Sequence, residues 1–155
     1  MSAKVPEPSA RVRDDALADL EGLRAWHAQA REQLVRLGAL ARRLEADDPD
    51  PAARADAGAI EAFFSGTARR HHAAVERELF PGVIAAGDAD RVATVRRLQQ
   101  DHGWIDENWI ELGPKLRAIA DDNHWIDPAE FVHDADVFRE LVGEHIELES
   151  SLLGA

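Results

Sequence analysis

Residues 51–79 read PAARADAGAIEAFFSGTARRHHAAVEREL, and the spacing within them sets the fold class. Ile60, Phe64, Ala68, Val75 and Leu79 fall on one helical face, with no strand-like alternation. Phe80-Pro81-Gly82 is expected to end or kink this helix, leaving a short helical turn to Ala86. The same period continues on both sides. A first helix is expected from Arg13, with Leu17, Leu20, Ala28, Leu34, Leu37 and Ala41 as its stripe. It should stop before Asp47-Asp48-Pro49-Asp50-Pro51. A third is expected from about Asp88 with Val92, Val95, Leu98, Ile105, Trp109 and Leu116, bent at Pro114. After a loop over 121–127, Asp127 can cap a fourth helix, with Pro128 at its first position and Glu130 at its third. That helix carries Phe131, Phe138, Leu141, Val142 and Leu148. Four long helices with short connections predict an all-α protein, an antiparallel up-down-up-down four-helix bundle. Residues 1–12 read as a flexible lead and 13–153 as the one domain.

Composition narrows the chemistry. The 155 residues carry 30 Asp and Glu against 18 Lys and Arg, a net charge of −12. So acidic a chain repels phosphate backbones, and no basic patch offsets this, so no nucleic-acid partner is expected. No apolar run approaches the roughly 20 residues of a membrane span, so no membrane partner is expected either. The first residues do not resemble a secretory signal, which makes a cytoplasmic address the default expectation. There is no cysteine, so thiolate metal sites, disulfides and thiol nucleophiles are excluded. Any metal here must be held by nitrogen and oxygen.

Seven histidines supply the nitrogen. His27, His72, His102 and His145 fall one on each expected helix, each on its apolar stripe. Glu76 and Glu149 lie four residues after His72 and His145, on the same helix face one turn on. Each half of the chain therefore reads lone His, then His-x-x-x-Glu. The spacing from His27 to His72 is 45 positions and from His102 to His145 it is 43. Two hairpins with the same donors would meet around a pseudo-twofold axis, which points to a symmetric two-metal site. Buried polar groups are costly unless paired or metal-bound, so six on core faces call for one common explanation. Asp106, one turn after His102, is a candidate orienter or extra ligand. His71 stands about 100° off the His72 face and reads as peripheral. His124, His133, Glu78 and Glu147 read as solvent-facing, and Trp26, Trp104 and Trp109 as bundle packing.

These residues carry a family resemblance. His27, the string Arg70-His71-His72-Ala73-Ala74-Val75-Glu76 running to Glu78-Leu79-Phe80-Pro81, His102, and His145-Ile146-Glu147-Leu148-Glu149 resemble a hemerythrin-like, HHE cation-binding domain. The resemblance covers about residues 13–153. It implies two non-haem iron ions in the bundle core, oxo- or hydroxo-bridged, with Glu76 and Glu149 bridging them. Oxygen-carrying hemerythrins are similar but use five histidines, two of them four residues apart on the third helix. Here that position is Asp106. The resulting four-His, two-Glu set is similar to that of bacterial iron-centre repair proteins and of the mammalian iron-sensing hemerythrin domain. A counterpart of the cysteine-bearing N-terminal domain of many repair proteins is not expected here.

The ligand arithmetic then sets the expected function. Two histidines, two bridging carboxylates and one oxygen bridge give each iron five ligands and leave one position open. Two adjacent open positions suit oxygen, peroxide or nitric oxide, with an electron donor the sequence does not identify. The expected role is binding and reaction with these species in oxidative or nitrosative stress or detoxification, catalase-like turnover included. The alternative is a non-catalytic oxygen or iron binding, sensing or storage protein.

Overall fold

The computed structural model describes residues 10–122 and 126–152, and no strand occurs among them. Helix α1 spans Ala10–Ala46. Helices α2 (Pro51–Ala62), α3 (Ala68–Ala74) and α4 (Phe80–Ala86) follow one another as one rod, joined by π-helical turns at Phe63–Thr67 and Val75–Leu79. Helix α5 covers Ala89–Asp121 and α6 covers Pro128–Leu152. The four rods form a four-helix bundle in which α1 and α5 each pack against both the α2–α4 rod and α6.

The rods begin where short side chains satisfy orphan backbone donors. Asp50 accepts from Ala53 N at 2.7 Å, with Pro51 at the first helical position. That N–H holds the Asp50 carboxyl below its usual range. Asp88 accepts from Arg91 N at 3.0 Å and Asp127 from Ala129 N at 3.0 Å, so the expected cap at Asp127 forms. Glu130 pairs instead with Lys115 across the α5–α6 seam. The second rod ends at Gly87, whose φ of 78° suits a residue without a Cβ.

Several expectations about the rods change. Helix α1 reaches back to Ala10, into the expected lead, while residues 1–9 and 153–155 lie outside the described residues. Ala28 is exposed and Ala30 is buried in its place, because Trp26, Ala30, Leu34 and Leu37 share a face that Ala28 opposes by about half a turn. The Phe80-Pro81-Gly82 stretch does not end the second rod, which stays helical to Ala86. The π turn before Pro81 holds five residues, and its wider path eases the contact between a proline ring and the preceding turn. The inserted residue also re-phases the stripe. Val75 and Phe80, five residues apart, are the buried positions, and Leu79 is only half-buried. Helix α5 stays unbroken through Pro114.

The apolar side chains form two clusters. The larger includes Trp26, Leu34, Phe64, Ile105, Trp109, Phe138 and Val142. The smaller comprises Val75, Phe80, Val83, Val95, Leu98 and Leu152. Along each of the last three rods a histidine lies between the two: His71 and His72 between Ala68 and Val75, His102 between Leu98 and Ile105, and His145 between Val142 and Leu152. The polar layer thus sits inside the bundle, closed off by packed hydrocarbon at both ends. One close approach fixes α1 against α6. Arg139 Nε donates to Leu34 O at 3.0 Å, across Gly38, where a Cβ would lie 2.6 Å from the guanidinium.

Candidate metal centre

The polar layer is built around Glu149, which has no exposed surface. Its Oε1 accepts from His27 Nε2 at 2.9 Å and from His71 Nε2 at 2.7 Å. His145 Nε2 lies 3.2 Å from its other oxygen, Oε2. Two groups of potential donors result, His27, His71 and Glu149 in one and His72, His102 and His145 in the other. Within each group the donor atoms lie within 4.8 Å of one another. The carboxylate of Glu149 therefore spans the gap between two imidazole clusters, one oxygen toward each.

The second group is a stack of rings. His72 lies against His102 with centroids 4.1 Å apart, and His145 lies 4.9 Å from His102. Burial disfavours a charged imidazole, and His102, His145 and His71 would repel one, so the His72 pKa is pushed down to about 2. The His102 pKa is also lowered, again mainly by burial, against a hydrogen bond to Glu76 that raises it. Burial alone would raise the Glu149 carboxyl. The imidazoles of His145, His27 and His71 against it outweigh this and hold the group ionised well below the usual carboxylate range. The layer thus sets His72 and His102, whose charged forms are disfavoured, beside one buried anion, which suits metal binding.

Outward-facing ring nitrogens have their own partners. Ser150 Oγ is 3.3 Å from His27 Nδ1, and Glu76 Oε1 accepts from His102 Nδ1 at 2.7 Å. With Nδ1 so engaged, His102 turns Nε2 inward, where it is buried without a partner. His145 Nε2 and Glu149 Oε2 are likewise buried and lack a hydrogen bond. Buried unsatisfied polar atoms need an explanation, and three converging in one layer fit a set of metal donors. Imidazole with carboxylate suits iron, and manganese or zinc would also take such donors.

His27, His72, His102, His145 and Glu149 thus come together, and Glu76 and Asp106 do not join them. Glu76, whose side chain is 49% exposed, lies on the outer side of His102 and not between the two groups. It stands inside the second π turn, where the wider coil rotates it away from the face it would share with His72 in a regular α-helix. Asp106 is exposed and lines a cleft with Trp26, His72, Ile105, Trp109 and Val142. The cleft leaves about 10 Å³ for the centre of a water-sized molecule beside His72.

His71 is the main departure from the sequence reading. Expected at the periphery, it is 8% exposed, bonded to Glu149 and stacked on Trp26 at 3.6 Å with the rings 2° from parallel. The inward arc of a bundle helix is wide enough for two adjacent residues. His71 takes the side near α1, and His72 takes the side near α5 and α6. Asp101 was also missed. It is 6% exposed, and its place three residues after Leu98 on the apolar stripe was an available signal. Trp104 is 58% exposed and does not pack the bundle, because it stands about 200° around α5 from His102. Trp26 and Trp109 are buried, His133, Glu78 and Glu147 are exposed, and His124 lies outside the described residues.

Fold and site together define a helical bundle with a buried histidine–carboxylate cluster of metal-binding character. The chain belongs to the hemerythrin HHE cation-binding domain family, whose sequence pattern matches residues 18–155. Domains of this family bind metal cations, typically iron. No curated protein and no solved structure gives a significant match to the chain. Among the described residues no helix is long and apolar enough to cross a membrane.

Proposed function

We propose that this chain is a non-haem di-iron protein that binds oxygen, peroxide or nitric oxide and reacts with it, drawing electrons from a separate donor. The antiparallel order of the rods and a cytoplasmic address belong to the same reading. The observation that carries it is the placement of Glu149, with one oxygen facing His27 and His71 and the other facing His145. In this reading His27, His71 and Glu149 hold one ion, and His72, His102, His145 and Glu149 hold the other. Three or four protein donors to each leave coordination positions free for a small molecule. Iron held there would supply electrons to that molecule and polarise it.

The protein's own contribution is positioning and exclusion. Trp26 and the two apolar clusters keep bulk water from the layer. The cleft beside His72 has room for about one water-sized molecule. Glu76 holds a proton at the Nδ1 atom of His102, which leaves its Nε2 lone pair for a metal. Glu76 could bridge only by leaving His102, so the bridging role rests first on Glu149.

Metal analysis after anaerobic iron loading tests the reading. Two irons per chain are expected, and less than one would sink it. Glu149→Ala should remove the oxo-bridge absorption, while Glu76→Ala should weaken it less. A second reading, a non-catalytic oxygen or iron binding protein, is favoured by His71. Its place in the layer raises the imidazoles to five, the number used by the oxygen carriers this chain resembles. Stopped-flow mixing of the reduced protein with oxygen, peroxide and nitric oxide separates the two. A stable reversible oxygen adduct marks a carrier, and rapid oxidation with turnover marks an enzyme.

A further inference from the structure

The histidine layer meets solvent at His72. His27, His71, His102 and His145 are buried, while His72 is only half-buried. The cleft beside it has apolar walls that include Phe64, Ile105 and Val142, and two exposed charged residues line it as well, Arg69 of α3 and Asp106 of α5. Among the described residues Arg69, His72 and Asp106 make no hydrogen bond or ion pair. Neighbours on the same rods do: Arg70 with Thr67, His71 with Glu149 and His102 with Glu76. Trp26 also lines the cleft, and its Nε1 is buried without a partner. Trp109 differs, because its Nε1 donates to Ser65 Oγ at 3.1 Å.

One small space thus meets two unengaged donors, the Arg69 guanidinium and the Trp26 indole, and one unengaged acceptor, the Asp106 carboxylate. We infer that the cleft is a binding site for hydrogen peroxide, in which Asp106 accepts from a peroxide O–H and Arg69 and Trp26 Nε1 donate to the peroxide oxygens. Hydrogen peroxide is neutral and carries both donors and acceptors, so it can answer all three groups. Oxygen and nitric oxide have no proton to offer Asp106, and a site that hydrogen-bonds an O–H discriminates against molecules lacking one. A small anion would suit Arg69 and be repelled by Asp106. The room for about one water-sized molecule lies beside His72, and the exposed residues leave the outer side open. A peroxide can therefore lie with one oxygen toward His72 and the other toward the charged pair.

The inference deepens the di-iron reading by naming its substrate, and rests on that reading only for the fate of the bound peroxide. Binding itself is tested without iron. In NMR titration of the metal-free protein with hydrogen peroxide, the Trp26 indole N–H signal should move saturably. The signal of Trp104, exposed on α5, should not. Asp106→Leu and Arg69→Leu, both at exposed positions, should each weaken binding about tenfold, as expected for losing one hydrogen bond to a charged group. Asp106→Asn, which keeps an acceptor, should weaken it less. Sodium azide, titrated as a small anion, should bind more weakly than peroxide to wild type and more tightly to Asp106→Leu than to wild type. In stopped-flow mixing of the iron-loaded, reduced protein, Asp106→Leu should slow the reaction with peroxide about tenfold and leave that with oxygen within about twofold. No saturable shift in wild type, equal peroxide binding by wild type and both leucine variants, or tighter binding of azide than of peroxide would overturn the assignment. So would equal slowing of the peroxide and oxygen reactions. A protein that takes up no iron would sink the di-iron reading and leave the metal-free titration to decide this one.

Discussion

His71→Ala separates the tertiary structure from the sequence spacing. The substitution removes a hydrogen bond to an ionised carboxylate at 2.7 Å and an aromatic stack at 3.6 Å. A hydrogen bond to a charged group contributes about 1.5–3 kcal/mol, and an aromatic pair adds about 0.5–1.5 kcal/mol. The metal-free protein should therefore lose about 2–4 kcal/mol. At about 2 kcal/mol per molar urea, a 3 kcal/mol loss moves the unfolding midpoint down by about 1.5 M. Urea titration followed by far-ultraviolet circular dichroism at pH 8, with chelator present, measures this shift. His133→Ala, at an exposed imidazole on α6, is the matched control and should stay within about 0.5 kcal/mol of wild type. Metal affinity should fall in His71→Ala and hold in His133→Ala. If both variants unfold and bind metal like wild type, His71 is peripheral and the assignment of the first donor group fails.

Phe138→Ala removes a ring packed 5.0 Å from Phe64 and 5.3 Å from Trp109, and should cost about 3–5 kcal/mol in the same urea assay. In the metal-free protein His72 stays neutral when folded down to about pH 2, while its unfolded value is 6.5. The unfolded chain therefore binds the extra proton between those limits, and this contribution to stability is full above pH 6.5 and is lost as pH falls. Urea midpoints of the metal-free protein from pH 5 to 7.5 should rise, and a flat profile would contradict the burial of a neutral His72. Adding a strong chelator to the iron-loaded protein should lower its melting temperature. Free metal at one hundred times its dissociation constant contributes about 2.7 kcal/mol per site, so an unchanged melting temperature would mean that no native site was filled.

Much of this was open to reading along the chain because helical period is a local property. The steps from Ile60 to Phe64 to Ala68, and from Leu98 to His102 to Ile105, assign helix and inward face together. A histidine on an apolar stripe stands out because burying it needs a partner, so His27, His72, His102, His145 and Glu149 could be named before any packing was known. The HHE pattern added the family, which its match over residues 18–155 bears out.

What one strand of sequence could not fix is phase and neighbour. Glu76 shares a face with His72 only if the helix between them is regular, and the π turn at Val75–Leu79 re-phases it. His71 looks peripheral when its own helix is read alone. The Trp26 ring and the Glu149 carboxylate that receive it come from residues 45 and 78 positions away in the chain. Asp101 likewise meets His145 only once α6 is laid beside α5. The sequence by itself determined the helical period, most of the inward stripe and the nitrogen-and-oxygen donor chemistry, because amphipathic period and composition are written residue by residue. Only the tertiary structure decided which imidazoles share Glu149 and which carboxylates stand outside them, because those choices depend on helix phase and on packing between distant segments.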